Sequence, residues 1–184
     1  LKRVSNLTSL DIMIATTPFR QVNLSVSNAK TYLFSTLFVV GNLVLPQLCH
    51  QIPDGGKILL PIYFFTLIAS YKFGLKVGLL TAIASPLLNY LFFGMPVLAF
   101  LPVILIKSSI LAIAAAWIGD KSKSVSLFLI ALTILAYQLL GGLAEWLLTT
   151  DFSAAVQDFR IGFPGMLVQW VAGWGLLKLM ANGH

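Results

Sequence analysis

The chain has 184 residues, of which 58% are apolar and only 10% charged, and its mean hydropathy is +0.91; soluble domains carry about a quarter charged residues, so a water-soluble fold is excluded and a single helical domain in a bilayer is expected. Twelve Lys and Arg against six Asp and Glu give a net charge of +6, yet these cations punctuate apolar runs instead of forming the patch or stripe of a nucleic-acid binder. The one cysteine, Cys49, excludes an intrachain disulfide and a cysteine-based metal cluster.

In chain order, residues 1–29 mix Thr, Ser and Asn with short apolar runs and contain Pro18, which breaks any long helix. They read as a cytoplasmic or interfacial lead-in to a transmembrane domain over 30–184. The apolar stretch Ile12 to Ala15 is too short for the h-region of a signal peptide, about 7 to 15 residues, so insertion is expected to rely on the helices themselves.

A helix needs about 20 apolar residues to cross the hydrocarbon core. Charges, Gly and Pro cut the remainder into six such segments: Thr31 to Leu48, Ile58 to Tyr71, Val77 to Phe93, Val97 to Ile118, Val125 to Thr149 and Phe163 to Met180. The second is short, rising only about 21 Å, which keeps five helices open as an alternative. The positive-inside rule tests the count, because adding or removing a helix swaps the sides of all later loops. With six helices and both termini inside, Lys2, Arg3, Arg20, Lys30, Lys72, Lys76, Lys121, Lys123 and Lys178 are cytoplasmic, and only Lys57 and Arg160 are external. The expected fold is therefore an all-α membrane protein, a compact six-helix bundle with N-in and C-in topology. No internal repeat is visible, which argues against a duplicated secondary transporter.

Polar groups within a span are functional candidates because lipid cannot satisfy them. Here they concentrate in one leaflet: Asn42 with His50 after helix one, Tyr63 in helix two, Asn89 at the end of helix three, Gln138, Glu145 and Trp146 in helix five, and Gln169 and Trp170 in helix six. That distribution predicts a polar, aromatic-lined cavity open to the outside and not a continuous pore, which needs hydrophilic lining through both leaflets. The tryptophans also suit an interfacial aromatic belt. Lys107 falls midway along helix four and needs a partner: Glu145, the only carboxylate in a span, an anionic or carbonyl-bearing ligand, or a partner subunit. On the ligand reading the ligand leans toward a carboxylate or phosphate.

His50 and Asp54 do not make a metal-binding motif, and Pro53-Asp54-Gly55-Gly56 reads as a tight turn. Small residues at four-residue spacing, Gly74, Gly78 and Ala82 in helix three and Ala112 and Ala116 in helix four, allow close helix approach. They serve packing within the bundle or docking of another membrane subunit. No hydrolase or Walker motif is present, so neither an enzyme nor a cofactor is expected.

The segment His50-Gln-Ile-Pro-Asp-Gly-Gly-Lys-Ile-Leu-Leu-Pro61-Ile, followed by Gly74, Gly78, Pro86-Leu-Leu and Phe93-Gly94-Met95-Pro96, resembles the substrate-binding S components of energy-coupling factor (ECF) transporters over roughly residues 35 to 120. The chain departs from that pattern in having Phe93 where a Thr falls, Asp54 where another Gly is common and Lys107 near a position for Glu. The resemblance implies a multi-pass protein of a prokaryotic cytoplasmic membrane that binds a vitamin or vitamin precursor from outside, beneath the loops. It also implies partners, a transmembrane scaffold subunit and two cytosolic ATPases, with toppling in the membrane releasing the ligand inside. A stand-alone secondary transporter or channel, with Lys107 and Glu145 as coupling charges, and a purely structural assembly subunit are the competing readings.

Overall fold

The computed structural model describes residues 18–182, and side chains to residue 181; the expectations placed on residues 1–17 lie outside these. The helices are α1 (Ala29–Cys49), α2 (Gly55–Leu59), α3 (Phe64–Phe93, preceded by a 3-10 turn Pro61–Tyr63), α4 (Leu101–Lys121), α5 (Leu127–Thr149), α6 (Phe152–Ala155), α7 (Gln157–Arg160) and α8 (Phe163–Asn182). Among the described residues, four stretches are long and apolar enough to cross a membrane: Ala29–Cys49, Pro61–Phe93, Leu101–Lys121 and Leu127–Thr149. Helix α8, at 20 residues, has the length, but Gln169, Lys178 and its three glycines dilute its apolar character.

The distribution of polarity is that of a protein solvated by lipid. Leu33, Leu37, Val44 and Leu48 of α1, and Phe128, Leu139 and Leu147 of α5, are exposed, while Asn42, Thr66, Ser85, Asn89, Gln138 and Gln169 are buried. In water so much exposed apolar surface would drive aggregation; in hydrocarbon the polar groups must be satisfied internally.

The stretch Pro61–Phe93 is not straight. Gly74 has φ 81° and ψ −177°, a backbone region open essentially only to glycine, and the chain doubles back there. A Cβ on Gly78 would lie 2.9 Å from the Cα of Ser70, although eight residues of continuous helix would separate the two by about 12 Å. Farther along, the Asn42 side chain donates to both Thr66 Oγ1 (3.0 Å) and Ser85 Oγ (3.1 Å) and accepts from Phe65 N (3.2 Å). One amide on α1 thus bridges the two limbs of α3.

The Gly74 end is sealed by the segment before α1. Phe19 N donates to Lys123 O (2.9 Å) and Val22 N to Lys72 O (2.8 Å). The Gln21 amide reaches the carbonyls of Ser70, Tyr71 and Ala116 at 3.2, 3.0 and 2.9 Å; the first two belong to a helix terminus, whose last carbonyls have no partner within the helix. The buried Phe19 packs on Tyr71. Residues 18–28 are therefore a structural closure of the bundle more than a lead-in.

Gly74→Ala places a side chain in glycine-only backbone space and against Asn23 Oδ1. It should destabilise the protein by about 1–3 kcal/mol, seen as a lower midpoint of thermal unfolding in detergent. Gly175→Ala, in a helix with nothing near its Cβ position, should leave the midpoint unchanged or slightly raised.

Candidate functional site

At the end opposite Gly74, a cavity of about 530 Å³ opens between the end of α1, α2, the 94–100 connection, α4 and the α6–α7 connection, a size within the roughly 300–1,000 Å³ of small-molecule sites. Its walls are mainly apolar, with Pro46, Leu60, Pro61, Met95, Pro96, Phe100 and Val103 among them. Polar groups enter at a few points: His50, Asp54, Lys57, Tyr63, Asn89, Lys107, Glu145, Gln157 and Asp158.

Local sequence explains this opening. Helix α1 ends at Cys49, and Asp54 and Leu60 adopt left-handed backbone at φ 55° and 47° on either side of α2. For a non-glycine residue that conformation costs about 1–2 kcal/mol. The two kinks turn α2 across the mouth, where Gly165 of α8 packs so closely on Leu59 that a Cβ would overlap its backbone. At the far side α3 is capped by Gly94 in the left-handed region, and the following connection brings Met95 and Pro96 into the wall.

The deep end of the cavity is ionic. Lys107 Nζ contacts Glu145 Oε2 on α5 and lies 2.9 Å from Asp158 Oδ2 on α7. The three side chains are only 4%, 9% and 13% exposed. Gly141 makes room for this, since a Cβ there would lie 2.7 Å from Lys107 Cγ. The pairing of Lys107 with Glu145, one of the alternatives open in the sequence, is present. Asp158 was missed because it sits in what reads as an external loop, and depth judged from sequence keeps loops out of the bundle.

Of the sequence candidates, His50, Tyr63, Asn89, Lys107 and Glu145 line the cavity. Asn42 lies beneath it, its backbone carbonyl accepting from Asn89 Nδ2 at 2.8 Å. Gln138 and Gln169 meet at the Tyr137 hydroxyl, which donates to Gln169 Oε1 (2.9 Å) and accepts from Gln138 Nε2 (3.1 Å); Gln169 Nε2 reaches Leu60 O at 3.4 Å. Trp146 is 45% exposed and meets Phe152 edge-on. Trp170 donates to Leu127 O (2.8 Å) at the start of α5, away from the cavity. The small residues Gly74, Gly78, Ala82, Ala112 and Ala116 are all buried within the chain, Gly78 against Ser70.

Lys107→Met removes the cation held between buried Glu145 and partly buried Asp158 and should cost about 3–5 kcal/mol. Asp158→Asn keeps the Lys107–Glu145 pair and should cost far less or nothing, so thermal unfolding of the two purified variants should separate them clearly. Asn42→Leu strands the partners of its amide and should cost about 1–3 kcal/mol.

Comparison of the chain with protein-family models, curated proteins and solved structures finds no match, so the likeness to S components is carried by the quoted motifs alone.

Proposed function

We propose that this chain is the membrane-embedded substrate-binding subunit of an ECF-type ABC importer. On this reading it captures a small, vitamin-like molecule outside the cytoplasmic membrane of a prokaryote and passes it on through a transmembrane scaffold and two cytosolic ATPases. The observation that carries the reading is the asymmetry of the bundle. A cavity of ligand size lies at one end, and the other end is packed with Phe19, Tyr71, Ile118 and Val125 and tied by residues 18–28. Such a shape suits capture from one side followed by hand-over, and it does not suit a pore.

The same reading takes the bundle as six crossings with both termini inside. The fold-back at Gly74 supports it by dividing Pro61–Phe93 into two limbs, which with α1, α4, α5 and α8 make six. The first limb, Pro61 to Phe73, rises only about 20 Å, and the surrounding helices shield its ends. Lys72, Lys76, Lys121 and Lys123 then cluster on the cytoplasmic side, in keeping with the positive-inside rule. Lipid covers the apolar faces of α1 and α5, no nucleic acid is involved, and ATP hydrolysis belongs to the partners. Because Gly74, Gly78, Ala82, Ala112 and Ala116 are spent on packing inside the chain, a scaffold is met by other surfaces.

Affinity purification of the tagged protein from its native membrane, with mass spectrometry of the co-purifying proteins and small molecules, tests this proposal. Two ATPases, a membrane scaffold and a bound small molecule are the expected result. Recovery of the chain alone, with solute flux through reconstituted protein, would favour a stand-alone transporter; recovery with membrane partners but no ligand would favour an assembly subunit.

A further inference from the structure

The charges in the cavity wall do not balance at its deep end. Asp54 and Lys57 pair with each other at 3.5 Å near the mouth, both more than half exposed. Deeper in, one ammonium, Lys107, serves two carboxylates, Glu145 and Asp158. One negative charge there is left without a counter-charge in the wall, in a place where an uncompensated charge is expensive.

The uncharged groups point the same way. Asn89 is 2% exposed; its Nδ2 donates to Asn42 O (2.8 Å) and Ser85 O (3.0 Å), while its Oδ1 has no partner. Two carbonyl acceptors fix the orientation of that amide, so the orphan atom is the oxygen. His50 Nδ1 lies 2.7 Å from Pro46 O. A carbonyl only accepts, so Nδ1 donates and the ring is fixed against the end of α1. Asn89 Oδ1 is thus an acceptor left open in the cavity wall and the ammonium of Lys107 is already occupied twice, while Tyr63 and Gln157 bring neutral groups that can donate or accept.

Resting on the substrate-binding reading above, we propose that the ligand is a small organic cation with N–H donors, an ammonium or amidinium group. That group lodges beside Glu145 and Asp158 and donates toward Asn89 Oδ1. This reverses the leaning drawn from Lys107 alone: paired with two acids, that lysine no longer offers a positive charge to a carboxylate or phosphate.

The test uses benzamidine, benzamide and benzoate, three molecules of nearly one shape that carry a positive, no and a negative charge, titrated into the purified full chain and read by saturation-transfer NMR. Benzamidine should bind about tenfold tighter than either of the others. Asp158→Asn, which retains the Lys107–Glu145 pair, should abolish most of that preference, whereas Lys121→Ala at the tied end, outside the cavity, should preserve it. Equal binding of the three, tighter binding of benzoate, no response to any, or a preference unchanged in Asp158→Asn each overturns the proposal. This readout needs no partner subunit. A benzamidine preference in a chain that purifies without scaffold or ATPases leaves the ligand class standing and removes the importer; partners without the preference remove only the ligand class.

Discussion

A buried lysine ammonium cannot stay unpaired in a bilayer; Lys107 is the seventh of the 21 residues of α4, nearer the cavity end than the midpoint expected from a helix beginning at Val97, and the way this chain satisfies it organises that end of the bundle. Its two partners come from different places in the sequence, Glu145 on α5 and Asp158 on the short helix α7. Pairing therefore binds α4 to α5 and draws the 150–162 connection inward to the cavity. Buried ion pairs often add little net stability compared with apolar residues of similar volume, whereas removing one partner from a formed pair is costly. The triad is better understood as fixing position: it holds α7 in the wall and leaves an acidic surplus where a ligand can reach it.

The second constraint is backbone hydrogen bonding in a medium without water. Where the chain doubles back at Gly74, the carbonyls of Ser70, Tyr71 and Lys72 lose their helical partners, and Gln21 and Val22 supply donors from outside the hairpin. Deeper in, Asn42 satisfies groups on both limbs at once. These bonds close one end of the bundle, and the left-handed turns at Asp54 and Leu60 open the other. The contrast between a tied end and a hollow end follows from a handful of residues, and it is the asymmetry on which the proposed function rests.

Much of this was legible in the sequence, and the parts that were not share a cause. Hydropathy located α1, α4, α5 and α8 to within about four residues, since apolar runs of that length have few other uses. The break at Gly74 was visible as a gap between two apolar segments, because Lys72, Gly74 and Lys76 interrupt them. Depth along a helix could be judged, but direction around it could not. Asn42, Gln138 and Gln169 stand at depths that favour the cavity, yet they turn toward neighbouring helices, and Trp170 turns to Leu127. Hydrophobic periodicity gives no help, because helices buried against both protein and lipid are apolar all round. Asp158 was hidden for the opposite reason: a loop residue carries no sign that it will fold inward.

Labelling in intact cells shows on which side of the membrane the cavity opens; the proposal places it outside, with the bundle closed on the cytoplasmic side. With the buried Cys49 replaced by Ala, single cysteines are placed by Lys57→Cys at the cavity mouth and by Lys121→Cys at the tied end, and treated with a membrane-impermeant maleimide. Lys57→Cys should be labelled in intact cells and Lys121→Cys only after permeabilisation. Labelling of Lys121→Cys from outside, with Lys57→Cys protected, would invert the orientation and contradict capture from the exterior.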